Sequence, residues 1–216
     1  MRAAAALALG AALAACSPAP EAEREQPKPA ETRREVILFL GDSLTAGYGV
    51  ALEDAFPALL EERWRRDGSA ARARNAGVSG STTAGVLESL DWTLAPDVRA
   101  LFLCVGANDG LRGLSLESSR RNISEIVAKA KARGLEVVVA GMKLPPNYGA
   151  DYTKRFEALY PSIAREHGVK LMPFLLEGVA GRPELNAKDG IHPNEAGHRR
   201  IAETVHAYLA REGLLK

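Results

Sequence analysis

Val36-Ile37-Leu38-Phe39-Leu40 runs directly into Gly41-Asp42-Ser43-Leu44-Thr45-Ala46-Gly47-Tyr48-Gly49. The first five residues form an unbroken apolar run of branched and aromatic side chains, the pattern of a strand buried on both faces. The strand stops at Gly41, and a hydroxyl-bearing residue follows at its C-terminal edge. Open α/β sheets build their sites at that edge, which makes Ser43 a candidate nucleophile. A Gly-Asp-Ser tripeptide on its own is a turn, since all three residues favour turns. The reading therefore depends on what the rest of the chain supplies.

The length, 216 residues, suits one domain with a real core, and 46% hydrophobic with 25% charged residues is the composition of a globular protein. A formal net charge of +1, with no dense Lys/Arg patch and no zinc-finger spacing, argues against a nucleic-acid partner. No internal repeat is present.

The N-terminus reads as a separate object. Met1-Arg2 precedes an Ala/Leu run to Ala15, one positive charge and then an apolar stretch too short to span a bilayer. Residues 1–15 are expected to be a secretory signal. The run ends in Leu13-Ala14-Ala15-Cys16, which resembles the bacterial lipobox, so Cys16 is the expected lipidation site. An ordinary signal cut after a small residue, with Cys16 incidental, is the alternative. Residues 16–34 hold Pro18, Pro20, Pro27 and Pro29 among mixed charges and read as a tether. The expected product is an exported, membrane-anchored lipoprotein facing the periplasm, with its folded domain over residues 35–216. The second cysteine, Cys104, sits inside Leu101-Phe102-Leu103-Cys104-Val105 and reads as core rather than nucleophile.

Along the domain, Asp54 is expected to cap a helix that buries Phe56, Leu59, Leu60 and Trp64, with Gly68 stopping it. Ala71 to Asn75 reads as an edge strand. A Gly/Ser loop (Gly77, Ser79, Gly80, Ser81) leads to a helix from Thr82 to Leu94, then a strand Val98–Val105. Gly106 to Gly113 reads as a loop and Ser115 as the start of a helix ended by Gly134. Leu135 to Met142 is a strand. Tyr152, Phe156, Leu159 and Ile163 mark a helix that Pro161 should kink. Val169–Met172 is a short strand, Gly178 to Gly190 a loop, and the last helix starts at Pro193 and buries Ile201, Val205, Tyr208 and Leu209. Strands alternating with helices predict an α/β fold: a parallel sheet, helices on both faces. Gly41-Asp42-Ser43, Gly77-Val78-Ser79-Gly80 and Gly106-Ala107-Asn108-Asp109 each follow a strand, and in this architecture they converge on one edge.

A hydroxyl nucleophile needs a base and donors for the oxyanion. His192 has the best context of the four histidines, in Asp189-Gly190-Ile191-His192-Pro193. An Asp three residues before a His in such a turn can set its carboxylate against Nδ1 and orient the ring. Taken alone, such a motif is better read as no more than a cap on the final helix. A metal reading lacks a second histidine pair at ligand spacing. His167, His198 and His206 read as surface or helix-end residues. Donors are available from the Ser43 N–H, from Gly80, which has no side chain to keep a substrate away, and from the Asn108 amide. Taken singly, Gly80 reads equally well as a turn glycine and Asn108 as an Asx turn. All four readings being bland at convergent strand ends is the less economical account.

Gly41-Asp42-Ser43-Leu44, Gly80 within Asn75-Ala76-Gly77-Val78-Ser79-Gly80-Ser81-Thr82, Gly106-Ala107-Asn108-Asp109-Gly110 and Asp189-Gly190-Ile191-His192-Pro193 resemble, in order, the four blocks of the SGNH (GDSL) hydrolase superfamily. Leu111-Arg112-Gly113 and Leu144-Pro145-Pro146-Asn147-Tyr148-Gly149 resemble its bacterial thioesterase I / lysophospholipase L1 / arylesterase branch. The resemblance implies a flavodoxin-like three-layer α/β/α sandwich with a central parallel sheet of about five strands. It implies Ser43 as nucleophile, His192 as base and Asp189 as its orienter, with Ser43, Gly80 and Asn108 lining the oxyanion hole. It implies a serine esterase acting on small acyl esters, acyl thioesters or lysophospholipids, with no cofactor and no metal. Two other functions fit the same blocks: a carbohydrate O-acetylesterase of the cell envelope, and an inactive binding lipoprotein. The branch-specific loops argue against the first and the intact blocks against the second.

Overall fold

The computed structural model describes residues 35–215. The expectations for residues 1–34 (the signal, Cys16 and the tether) lie outside the described residues.

The apolar run that opens the domain becomes β1 (Val36–Gly41), buried along its whole length. It pairs in parallel with β2 (Arg72–Gly77) on one side and β3 (Val98–Cys104) on the other. β4 (Glu136–Ala140) and β5 (Lys170–Met172) extend the sheet beyond β3, also in parallel. The order β2-β1-β3-β4-β5 is the flavodoxin-like doubly wound order, whose chain reverses direction across the sheet between β1 and β3. The crevice beyond the C-terminal ends of those two strands is where such a sheet binds ligands. β2 lies at the sheet edge, and its exposed and half-buried residues explain its weak apolar pattern.

Helices cover both faces. α2 (Phe56–Arg66) packs on α7 (Glu195–Arg211), while α5 (Leu116–Ala132) packs between α3 (Thr83–Thr93) and α6 (Ala150–His167). Phe39 of β1 joins sheet to helix: its ring centroid lies 5.5 Å from that of Phe56 in an edge contact and 5.2 Å from that of Phe102. Two further short helices sit at the C-terminal sheet edge, α1 (Ser43–Ala46) and α4 (Ala107–Leu111).

Several boundaries differ from the sequence reading, each for a physical reason. Asp54 does not cap α2. It lies in a 3-10 turn, Leu52–Asp54, and its carboxylate faces Arg199 at 4.0 Å. The cap position is Ala55, which has no side-chain acceptor, and the Phe56 N–H instead donates to Nδ1 of His198 at 3.3 Å. An imidazole from α7 thus serves a helix start 142 residues away in the chain. His198 is accordingly fully buried and stacked on Phe56, not a surface residue. His206 is half-buried and accepts from Trp64 Nε1 at 3.0 Å, joining α7 to α2. His167 is also half-buried, at the end of α6 with its Nε2 2.5 Å from Ser124 Oγ. Gly106 to Gly113 is not all loop, since α4 occupies its middle. Within Gly178 to Gly190, Pro183–Leu185 forms a 3-10 turn. The helix expected around Pro161 is α6, which runs to His167 and is stopped by Gly168, with Phe156, Leu159, Tyr160 and Ile163 buried on both sides of the proline. α7 begins at Glu195 rather than Pro193, with Asn194 accepting from the Gly197 N–H.

The buried His198 makes the fold acid-sensitive. Burial pushes its pKa from the ordinary 6.5 down to about 4, and Nδ1 must stay unprotonated to accept from Phe56. The unfolded chain binds this proton more readily, so the stabilisation is complete above about pH 6.5 and is lost as pH falls toward 4. The loss amounts to about 3 kcal/mol, or roughly 6–12 °C in melting temperature for a domain of this size. A His198→Asn variant keeps an acceptor for Phe56 but does not titrate. Its melting temperature should fall less steeply between pH 6.5 and 4 than that of the parent. Parallel curves would remove His198 as the cause.

Candidate active site

The site begins with a steric necessity. The last residue of β1 must be glycine, because a Cβ at Gly41 would lie 2.1 Å from the Cys104 carbonyl oxygen of β3 and 2.4 Å from Thr45 Oγ1. The chain then turns at Asp42, whose carboxylate caps α1 by accepting from the Leu44 N–H at 3.1 Å. Ser43 is the first residue of α1, half-buried at the rim of the sheet.

The turn before α7 brings His192 to it. Ser43 Oγ and His192 Nε2 are 3.0 Å apart, and His192 Nδ1 lies 2.7 Å from Asp189 Oδ2. The other oxygen of Asp189 accepts from the backbone N–H groups of Ile191 at 2.9 Å and His192 at 3.0 Å. These bonds, the His192 N–H first, hold the Asp189 carboxyl down to about 2. An ionised Asp189 accepts from Nδ1–H, which leaves Nε2 free to accept the Ser43 hydroxyl proton. The ring of Tyr48 packs against His192 with centroids 4.7 Å apart, restricting the imidazole from the other side.

The loops after β2 and β3 meet beside Ser43. Ser81 N–H donates to the Val78 carbonyl at 3.0 Å, and Gly80, two residues after Val78, takes φ +82°. A positive φ at that place in a turn is where a side chain is least tolerated. Asn108, on α4, donates from Nδ2 to the Ser81 carbonyl at 3.0 Å. Its Oδ1 faces Arg112 at 3.4 Å, and the same guanidinium nitrogen donates to the Gly80 carbonyl at 3.1 Å. This fixes the plane of the amide and uses one of its two hydrogens; the other remains for the cleft that Asn108 lines with Ser43.

Beneath the loop, buried Asp109 accepts from the Thr83 N–H at 2.9 Å and from the hydroxyls of Thr83 at 2.6 Å and Ser119 at 3.2 Å. It ties α4 to the starts of α3 and α5. Burial raises the Asp42 carboxyl to about 6 and pushes the Cys104 thiol well up, which suits Cys104 to the core and not to nucleophilic attack.

A cleft of about 450 Å³ opens from Ser43 and His192 and is walled by Leu111, Met142, Leu144, Phe174 and Leu176. These residues follow β3, β4 and β5, so the cleft crosses the sheet edge from β1 to β5, three strand spacings or roughly 14 Å. Among the described residues no group of His, Cys, Asp and Glu side chains could hold a metal ion.

The structure therefore brings together every site residue expected in the domain: Ser43, His192 and Asp189 in one relay, and Asn108 beside the Gly80 loop. The sequence reading missed Arg112 as the clamp between those loops, Asp109 as their buried anchor and Tyr48 against the imidazole. Residues 39–200 match the model of the GDSL-like lipase/acylhydrolase family. The chain belongs to this family. Among GDSL-like relatives, the esterase TesA of Pseudomonas aeruginosa is 38% identical over 172 residues, 79% of this chain and 86% of that one. The thioesterase 1/protease 1/lysophospholipase L1 of Escherichia coli is 37% identical over 170 residues, 78% of this chain and 80% of that one. Among solved GDSL-like structures, the psychrotrophic esterase EstA from a Pseudoalteromonas species, inhibited by monoethylphosphonate, superposes with a TM-score of 0.80 at 31% identity, covering 82% of this chain and 98% of that one.

Proposed function

We propose that this GDSL-like hydrolase cleaves acyl esters and acyl thioesters, lysophospholipids among them, through an acyl-enzyme on Ser43. The observation that carries the reading is the Asp189–His192–Ser43 relay opening onto an apolar cleft. In the reaction, Ser43 Oγ attacks the acyl carbon while its proton passes to His192 Nε2. Asp189 stabilises the imidazolium without taking the proton. The N–H groups of Ser43 and Gly80 and the free hydrogen of Asn108 Nδ2 serve the oxygen as it becomes negative. His192 then protonates the departing alcohol or thiol, and a water attacks the acyl-enzyme by the same route in reverse.

The cleft favours a fatty acyl group over acetyl. Each buried methylene is worth about 0.8 kcal/mol, roughly fourfold in kcat/KM, and an acetyl group leaves the walls unused. A series of p-nitrophenyl esters from acetate to octanoate, with palmitoyl-CoA, tests this. A kcat/KM that rises with chain length supports the fatty-acyl reading. A preference for acetate would favour the O-acetylesterase alternative.

Asn108→Ala should lower kcat by about 10²- to 10³-fold with KM little changed, since its donor faces charge that exists only after attack. Loss of the bond to Ser81 should cost about 1 kcal/mol as well, so the melting temperature falls a few degrees. A lower melting temperature with unchanged kcat would make Asn108 a loop tie only.

We further propose that the enzyme is exported and held at a membrane by lipid on Cys16, a reading supported by the Leu13-Ala14-Ala15-Cys16 pattern. Cys16→Ser should release it from the membrane fraction; unchanged mass and unchanged membrane retention would sink the idea.

A further inference from the structure

Seven large apolar side chains stand well exposed among the described residues, and six of them gather at one end of the molecule. Val78 follows the last residue of β2, its N–H bonded to the Gly41 carbonyl at the end of β1. Leu114 follows α4, and the Tyr148 hydroxyl donates to the Leu111 carbonyl of the same helix at 3.0 Å. Tyr48 packs on the His192 ring, and Ile191 adjoins it in the chain. Leu52 lies in the 3-10 turn between α1 and α2. All six lie on segments at the C-terminal edge of the sheet, and three reach the cleft: Ile191 lines it, Tyr48 packs on the cleft residue His192 and Tyr148 bonds to the cleft residue Leu111. The seventh, Trp92, is 86% exposed in the last turn of α3, which places it at the opposite edge.

Scattered single apolar residues need no explanation, but a set of them beside a site does. The exposed set meets the apolar cleft wall at Ile191, which belongs to both. A folded protein seated on this set would cover Ser43 and stop turnover. A lipid surface would not, since it offers acyl chains end-on to the cleft. Two of the six are tyrosines, a residue suited to the boundary between acyl chains and headgroups. We infer that this rim is a lipid-docking surface: the enzyme rests with its cleft mouth on the surface of a bilayer or micelle and draws its acyl substrate from there. The inference builds on the fatty-acyl reading of the cleft but does not depend on lipidation of Cys16.

Two readouts test it in the full-length chain. The first uses Ser43→Ala protein, so that binding is read without hydrolysis. In that background Leu114→Trp with Trp92→Phe places a reporter on the rim, with phosphatidylcholine vesicles carrying brominated acyl chains as the probe. The introduced tryptophan should shift to shorter wavelength and lose at least half of its emission. The parent, with its native Trp64 and Trp92, should show neither change. Absence of quenching at the rim, or equal quenching in the parent, overturns the inference. The second readout compares substrates. Leu52→Asp with Leu114→Asp touches neither the relay, the oxyanion loops nor the cleft wall, so hydrolysis of monomeric p-nitrophenyl butyrate should stay within twofold of the parent. Hydrolysis of lysophosphatidylcholine in micelles should fall tenfold or more. Equal effects on both substrates, or none on micelles, overturn the inference. So does self-association abolished by the double substitution without any vesicle quenching, which would assign the rim to a second copy of the chain. Hydrolysis of the soluble ester without rim quenching removes docking alone, whereas quenching without hydrolysis removes the catalytic reading alone.

Discussion

Replacing Ser43 with alanine should lower kcat by roughly 10⁶-fold, to the rate at which the remaining oxyanion donors assist direct attack by water. Its Oγ meets the imidazole at 3.0 Å, and Ser43 lines the cleft. Losing that hydroxyl removes one hydrogen bond at a half-buried rim, about 1 kcal/mol, so the melting temperature should change by only a few degrees. His192→Ala should cost as much as Ser43→Ala, and the double variant no more than either, since the pair acts as a unit. A fluorophosphonate should label the parent at Ser43 and leave Ser43→Ala unlabelled. Residual activity above about one per cent in a purified, folded Ser43→Ala protein would remove the acyl-enzyme route. Asp189, held down to about 2, stays ionised across the working range, so an acid limb of the pH profile cannot be its own.

What was legible in the sequence was whatever burial writes into residue type. β1 and β3 are buried on both faces and read as unbroken apolar runs, and α2, α5 and α7 bury one stripe each and read at helical spacing. The convergence of the three loops followed from parallel strands alone. The misses have a common cause, which is that they depend on partners distant in the chain. Nothing local says that the Phe56 N–H meets an imidazole from α7. Yet His198 precedes Ile201, Val205 and Leu209 at spacings of three, seven and eleven, so the buried stripe itself extends back to it. Asp54 looked like a cap because acidic residues favour that place, and the tertiary cap made it unnecessary. α4 was hidden by Gly106, Asn108 and Gly110, poor helix formers locally. What holds α4 is Asp109 bonding to Thr83 and Ser119. The turn allowed an Asp189–His192 contact, and only the family resemblance extended it to Ser43; the Arg112 clamp was not foreseeable, since an arginine after Gly-Leu reads as a solvated charge.

Asp189→Asn should lower kcat by about 10⁴-fold while leaving the fold almost untouched, and the reason lies in which oxygen does what. Oδ1 of Asp189 accepts two backbone N–H groups, from Ile191 and His192, and Oδ2 meets the imidazole. Asparagine has one oxygen and one NH₂ at these places. The two backbone donors demand an acceptor, so the oxygen goes to them and the NH₂ turns toward His192. A donor at that position selects the tautomer in which Nδ1 accepts and Nε2 carries the proton. The hydrogen on Nε2 then points at Ser43, and the ring cannot take the serine's proton. The turn survives because both backbone bonds are kept, and the side chain is 42% exposed, so little packing is lost. Asp189→Ala provides the contrast, since it removes the bonds to both backbone and ring, imposes no wrong tautomer and leaves the imidazole unheld. Kinetics with a p-nitrophenyl ester, beside melting temperatures, separate the two effects. The expected pattern is a near-parental melting temperature for Asp189→Asn with the larger fall in kcat, and a lower melting temperature for Asp189→Ala. A loss of less than tenfold in Asp189→Asn would mean that the carboxylate neither sets the tautomer nor stabilises the imidazolium, and the relay would reduce to Ser43 and His192.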